Sequence, residues 1–350
     1  MSIEELEKQV NAGIRQYSAA KNEVWKLIGS VKKSDLDRES RSRLLEQLYS
    51  PLSEKDIRHT FADDVARKNI GVSFRSCISH TRHWKKALAD FGWTISPGGN
   101  SKSEDHEFAK SLGVRTPKVF GSSLRLDDLE LRSGTVIKPE AGAAANGVFW
   151  IGDDKSLWSF ATKTRYENIE EAKTELKSKK LLEQPVWKIE ELVEKQPGVP
   201  AHDFKVWMFY GEVGLIQEIE RAPLDGDGTA YFYHRPDGSE FKVNGARKKL
   251  VSAGVPDGIV EAARKISLAA PVPYLRVDFL AGSNNYCLGE ITPHPGGAYA
   301  GQIFDEADKE LGEMFIKAEA RLYTDLLNGK SFPEFFNCYS TGNIPKEDIS

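Results

Sequence analysis

The sequence predicts an α+β chain. Three observations carry this: about a hundred residues whose apolar positions recur at helical spacing, eight later runs with strand character, and helical stretches set between those runs.

In the first part, Ile3, Leu6, Val10, Ile14 and Tyr17, then Val24, Leu27 and Ile28, fall three or four residues apart, which predicts a long amphipathic helix. Further helices follow at Arg41–Leu48, at Ser53–Ala66 with its Ser-x-x-Asp capping pattern, and at Cys77–Phe91. Residues 1–98 therefore read as a helical N-terminal lobe. The turn formers Ser96 to Ser101 mark its end.

Beyond that boundary the strand-like runs are Lys118–Phe120, Thr135–Lys138, Gly147–Ile151, Trp187–Val193, Phe204–Tyr210, Val213–Glu220, Tyr274–Leu280 and Tyr286–Ile291. Helices are expected at Asp105–Leu112, Ile169–Leu182, Gly258–Ala269 and Asp305–Leu327. A largely antiparallel arrangement is expected for the strands, and residues 331–350 read as a loosely held tail.

Composition narrows the function classes. The 350 residues are 40% hydrophobic and 29% charged, a soluble globular profile. A net charge of -4 and a pI near 6.1 supply no general field for nucleic acid or an anionic membrane. Cys77, Cys287 and Cys338 have no CxxC spacing, so neither a disulfide framework nor a zinc site is expected. The start, MSIEELEKQV, is acidic where a secretory signal is basic and then apolar, and no window approaches a membrane span, so a cytoplasmic protein is expected.

The cluster His80, Arg82, His83, Trp84, Lys85, Lys86 reads as a solvated helix face, with phosphate or RNA contact as the alternative. His80 and His83 lack a second pair of metal ligands nearby. A Walker A motif and a GxGxxG fingerprint are both absent, so a nucleotide site here is of another kind.

Five short stretches carry the chemistry. Val136 to Trp150 is a strand ending in Lys138, a loop of tiny residues, and a second strand; backbone N–H groups in such a loop approach an anion closely, and the lysine adds a compact positive charge. Trp187 to Glu194, followed by a Pro-Gly turn, is a strand whose freed edge can present backbone groups to an adenine, with a carboxylate taking the amino group. Asp203 to Arg221 reads as a hairpin with Lys205 and Arg221 at its ends. Those charges either flank a polyphosphate or substrate carboxylate or form ordinary cross-strand pairs.

The last two stretches weigh most. Arg276 and Asp278 share one face of an apolar strand, and Glu290 and Thr292 share one face of another, just before the turn Pro293 to Gly297. Carboxylates on neighbouring strands make an oxygen-only set suited to Mg²⁺. Buried charge without a metal is costly, so metal binding is expected ahead of a plain Arg276–Asp278 salt bridge.

These elements, in this order, resemble the ATP-grasp enzymes from about Ser101 to Phe315, most closely the type associated with teichuronopeptide and polysaccharide biosynthesis. The resemblance implies an ATP-grasp fold, two α+β subdomains gripping ATP, over residues 99–330, with a lid subdomain at about 134–192 and a metal-binding subdomain at about 193–330. It implies Lys102 and Lys138 as phosphate lysines, Gly142 to Gly147 with Asn146 as the lid, Glu190, Glu191, Leu192 and Val193 as the adenine linker, and Glu194 or Asp203 at the ribose. Asp278 and Glu290 match the magnesium carboxylates, and Arg276 matches an arginine that stabilises a charged tetrahedral intermediate.

Two departures stand out. Thr292 occupies the place where many members have asparagine as the last metal ligand, and Lys205 stands where amino-acid ligases of the family often have arginine.

The implied activity is a carboxylate–amine ligase using ATP and one or two Mg²⁺ ions, with Mn²⁺ as a substitute, through an acyl phosphate. Lys205 and Arg221 would assist with charge, under a lid that excludes water. Amino acids, short peptides or sugar acids are the implied substrates, with a homodimer as the implied assembly. His294 reads either as a base for the amine or as a turn histidine packed by Pro293 and Pro295. A small-molecule kinase and a catalytically silent nucleotide-binding module are the rival readings.

Overall fold

The computed structural model describes residues 2–52, 56, 72–93, 95, 102–140, 145–182, 186–196, 199–221, 229–241, 254–282, 285–296 and 305–339. The chain forms two compact units, residues 1–76 and 77–350.

The first unit is helical. Helix α1, Ile3–Lys33, starts at a capping box in which the Ser2 hydroxyl accepts from the Glu5 N–H at 3.2 Å while the Glu5 carboxylate accepts from the Ser2 N–H at 2.7 Å. Helix α2, Arg38–Tyr49, is capped by Asp37, whose carboxylate accepts from the Ser40 N–H at 2.9 Å. The two pack through Ile28, Leu45, Tyr49 and Leu52, with Val24, Trp25, Val31 and Leu48 around them. This core lies along the second half of α1 only. Most of the helix expected at Ser53–Ala66 lies outside the described residues.

Helix α3, Phe74–Asp90, straddles the division between the units. Helix α4 spans Lys102–Ser111, three residues longer at its start than expected, which puts Lys102, Asp105 and His106 on one helix.

The second unit holds two sheets whose strand pairs are antiparallel. The first, in spatial order β1-β6-β2-β3-β4-β5, is built from β1 Val119–Leu124, β2 Thr135–Pro139, β3 Phe149–Ile151, β4 Leu157–Ser159, β5 Arg165–Tyr166 and β6 Trp187–Glu191. Helix α5, Ile169–Ser178, adds Ala172 and Leu176 to the core of Ile137, Phe149, Ile151, Leu157, Trp187 and Ile189. Strands β7, Glu194–Gln196, and β8, Val199–Pro200, form a small ribbon after β6. The run expected to continue to Val193 therefore breaks at Glu191.

The second sheet runs β11-β10-β9-β12-β13, from β9 His202–Phe209, β10 Glu212–Arg221, β11 Thr229–His234, β12 Leu275–Ala281 and β13 Tyr286–Thr292. Its register aligns Glu290, Asp278, Lys205, Gln217 and Tyr233 in one row across the five strands. Side chains alternate across a strand, so Phe204, Val206 and Val277 point to the opposite face from that row, and helix α6, Ile259–Leu268, packs on β9, β10 and β12. Helix α7, Asp305–Leu327, packs on β9 and β10.

Part of the expected tail is ordered packing: α8, Pro333–Tyr339, contacts α4, with Phe335 edge-on to Phe108 and both rings buried. Among the described residues no helix is long and apolar enough to cross a membrane, and Cys77 and Cys287 are free thiols.

Candidate active site

A cleft of about 480 Å³ opens between the two sheets, with Lys102, Lys138, Asn146, Glu190, Glu191, Leu192, Val193, Asp203, Lys205, Asp278 and Glu290 among its walls. Eleven of the expected site residues thus converge from α4, β2, the loop before β3, β6 and its exit, β9, β12 and β13. Arg276, Gly147 and Thr292 stand outside that lining. Gly142 and the side chain of Arg221 lie outside the described residues; the Arg221 backbone ends β10 opposite Thr229.

On the first sheet, Lys138 sits opposite Lys188 and one pair away from Glu190. Glu190 is ion-paired to Lys138, and its second oxygen lies 3.0 Å from the Lys188 amine. All three side chains are buried or nearly so. Burial opposes the charge on Glu190, but the two lysines outweigh it and hold its pKa at about 2. Burial, with Lys188 and Lys102 nearby, draws Lys138 down to about 8 despite Glu190.

The residues expected as the adenine linker all line the cleft and have partners of their own. The Glu190 carboxylate is committed to lysines, and Glu191 to Arg115 and to the Lys118 N–H at 3.1 Å. Strand β6 also runs between β1 and β2, so it is no edge; only Leu192 and Val193, past its end, keep the open position that the reading required. Even there, the Leu192 N–H reaches the Gly134 carbonyl at 3.4 Å and the Val193 carbonyl accepts from Ala201 at 3.2 Å.

The loop of small residues is described from Ala145 onward. Ala145 and Gly147 adopt left-handed backbone, with φ of 59° and 71°, and a Cβ on Gly147 would approach Leu181 to 2.9 Å and Pro139 to 3.1 Å.

On the second sheet, Asp278 and Glu290 are direct partners across β12 and β13. Arg276 grips Asp278 with two parallel bonds, Nε to Oδ1 at 2.7 Å and a terminal nitrogen to Oδ2 at 2.8 Å. Its remaining donors go to the Pro295 carbonyl at 2.7 Å, the His294 carbonyl at 3.4 Å and the Thr292 hydroxyl at 3.3 Å. The salt bridge weighed against metal binding is therefore formed. Lys205 pairs with the same carboxylate. Burial works against ionised Asp278, but Lys205 and Arg276 prevail and keep its pKa below the usual carboxylate range. Glu290 is more open and lies 3.3 Å from the Lys102 amine.

Gly296 makes this arrangement possible. A Cβ there would lie 2.5 Å from a terminal nitrogen of Arg276, and its φ is 82°. His294 contributes its carbonyl to Arg276; burial, Arg82 and Lys85 lower the pKa of its imidazole, which does not line the cleft.

Two groups escaped the sequence reading. Lys188 had a signal, since it stands two residues before Glu190 on one strand face, as Arg276 does before Asp278. Asp105 and His106 had none: both are buried, and they close the outer edge of β13, Asp105 accepting from the Ile291 N–H at 3.0 Å and His106 Nε2 lying 3.2 Å from the Gly289 carbonyl.

Two sheets of antiparallel strand pairs that close on one cleft lined by lysines and carboxylates make an ATP-grasp fold, the class of fold that holds ATP between its halves. Residues 101–316 match the TupA-like ATP-grasp family, and the chain belongs to it.

Among solved structures, it is similar to the D-alanine–D-alanine ligase from Bacillus anthracis, at 16% identity over 69% of this chain and 76% of that one, with a TM-score of 0.42. It is similar also to the L-amino acid ligase from Bacillus licheniformis, at 14% identity over 63% and 50% of the two chains, TM-score 0.37. A third is the macrocyclase MdnC bound with precursor peptide MdnA from Microcystis aeruginosa, at 14% identity over 61% and 60%, TM-score 0.33. Comparison with curated proteins returns no match.

Proposed function

We propose that this protein is an ATP-dependent carboxylate–amine ligase that joins a small acid to an amine through an acyl phosphate. The observation that supports it most is the meeting of Lys102 and Lys138 with Asp278 and Glu290 in one cleft.

Among the described residues no group of three or more His, Cys, Asp or Glu side chains could hold an ion. Mg²⁺ in phosphoryl-transfer sites needs only one or two protein carboxylates, because phosphate oxygens and water complete its shell. Asp278 and Glu290, opposite each other, fit that requirement, and the Thr292 hydroxyl, held by Arg276, serves as an outer partner. The ion would supply neutralisation of the phosphate charge.

In this reading Lys102 and Lys138 hold the phosphates of ATP, and Leu192 and Val193 border the base. An oxygen of the substrate carboxylate bonds to the γ-phosphorus, the bond to the β,γ-bridging oxygen breaks, and ADP carries away that electron pair. The amine then attacks the acyl carbon, the C–O bond to phosphate breaks, and the amine's proton leaves with the solvent. Lys205, paired with Asp278, is placed to meet negative charge on the acid or the departing phosphate. Arg276 acts by holding Asp278 and the turn at 292–296, since its donors are already engaged there.

Hydroxylamine tests the proposal without knowledge of the natural amine. With ATP, Mg²⁺ and pools of amino acids, short peptides or sugar acids, an acyl phosphate gives a hydroxamate that absorbs with iron(III). Hydroxamate that depends on ATP and on one acid pool, and disappears in Asp278→Asn, is expected. ADP formed together with a stable phosphorylated alcohol, and no hydroxamate, would show a kinase.

A further inference from the structure

A second cavity, of about 330 Å³, is lined by helices α3 and α7 and by the chain around α8, and it shares no lining residue with the cleft. Its described walls belong to the second unit, and its size suits a small organic molecule. Aromatic rings make up much of the wall: Trp84 from α3, Trp93 just past it, Tyr323 from α7, Phe332 before α8 and Phe336 within it. Packing holds these rings in place. Trp93 meets Phe336 edge-on with centroids 6.5 Å apart, and Phe336 stands edge-on to Phe335, the ring that anchors α8 on Phe108.

The charges in this wall select the ligand. Glu319 lies on the same face of α7 as Leu322, Tyr323 and Leu326, and all four line the cavity. Glu319 is half-buried, and among the described residues its carboxylate has neither a hydrogen bond nor an ion pair. A carboxylate drawn out of water without a partner is costly, and a cation relieves that cost. Lys330, by contrast, is already engaged: it donates to the Asp325 carboxylate at 2.9 Å and to the Tyr210 hydroxyl at 2.8 Å. Its ammonium also lies 5.3 Å from the centroid of the Phe332 ring, the contact expected where the negative face of an aromatic ring draws a cation. The other polar side chains of the wall are His80, exposed on α3, Ser331, and Thr81, whose hydroxyl donates to the Cys77 carbonyl. An anion here would meet Glu319 and the ring faces, and a neutral ligand would leave Glu319 unpaired.

We propose that this cavity binds an organic cation, a substituted ammonium group carried on an apolar body. The ammonium pairs with Glu319, and the aromatic walls cover the apolar body and meet the rest of the positive charge with their faces. The proposal is independent of the ligase reading, because the cavity and the cleft have separate walls.

Ligand-detected NMR titration of the full chain with benzyltrimethylammonium, beside the neutral benzyl alcohol, tests this. Saturable binding of the cation with a Kd at or below about 1 mM is expected. Glu319→Gln keeps the shape of the wall and removes its charge, so it should weaken the cation about tenfold and change benzyl alcohol by less than about threefold. That difference separates lost charge from a disturbed fold, and it also separates this cavity from the carboxylates of the cleft. Tyr323→Leu, at an exposed position, removes one ring and should weaken the cation about threefold. Absence of saturable binding up to about 10 mM benzyltrimethylammonium overturns the proposal. So does an affinity for the cation that Glu319→Gln leaves unchanged, or a loss in that variant that is equal for the cation and for benzyl alcohol.

Discussion

His106, on α4, places its Nε2 3.2 Å from the carbonyl oxygen of Gly289, the residue before Glu290 on the outermost strand of the second sheet. A carbonyl accepts, so Nε2 carries the proton. Asp105 takes the Ile291 N–H on the other side of Glu290. The strand that presents a candidate metal carboxylate thus has its open edge closed by two buried side chains from one helix turn.

That arrangement has a pH signature. Burial, then the charge of Lys188, draws the pKa of His106 down to about 4, with Glu190 and the Gly289 carbonyl pulling the other way. The unfolded chain takes up a proton near pH 6.5 that the folded chain refuses until about pH 4, so stability falls as pH drops through that window, by up to about 3 kcal/mol. Urea unfolding at pH 7 and pH 5 should show the loss. His106→Gln, which keeps a donor and does not titrate, should flatten it; an unchanged slope would refute the assignment.

Lys138 predicts a second pH effect, on binding. With its pKa drawn to about 8 by burial and by Lys188 and Lys102, it loses its proton in the free protein just above neutrality. A neutral lysine cannot hold phosphates, so ADP affinity measured by calorimetry should be about tenfold weaker at pH 9 than at pH 7. Lys138→Arg should abolish the dependence, because an arginine keeps its charge.

Arg276 ties Asp278 to the turn after β13. Arg276→Ala leaves buried Asp278 with only Lys205 and strips the carbonyls at His294 and Pro295 of their donor, a loss of about 3–5 kcal/mol in urea unfolding. Gly296→Ala should act in the same direction by at least about 1 kcal/mol, since the methyl meets the guanidinium and the residue must keep a positive φ.

The sequence disclosed whatever a local period can carry. Two-residue alternation placed Arg276 with Asp278 and Glu290 with Thr292, and helical spacing drew the stripe of α1. Strands β4 and β5, three and two residues long, are too short to show a period. Strand β11 does not alternate: Tyr231 and Tyr233, two residues apart and so on one face, are exposed and buried respectively.

What stayed hidden depends on distant pairings. The bond of Lys138 to Glu190 spans two strands far apart in the chain, and the facing of Asp278 and Glu290 follows from the register of β12 on β13. Asp105 and His106 look like solvated helix residues until the edge of β13 is laid against them. Arg276 and Asp278 share one strand face by their spacing, but the two bonds between them, and those from Arg276 to the turn after β13, appear only once the strands are paired.

The most direct test of the central claim is to measure ADP, inorganic phosphate and amide product together, with ATP, Mg²⁺ and paired pools of acids and amines, beside Asp278→Asn and Glu290→Gln. Equal amounts of all three, requiring both an acid and an amine and reduced at least about a hundredfold in both variants, is the predicted result. ADP and phosphate released at the same rate with neither substrate present, or untouched by the two substitutions, would contradict it.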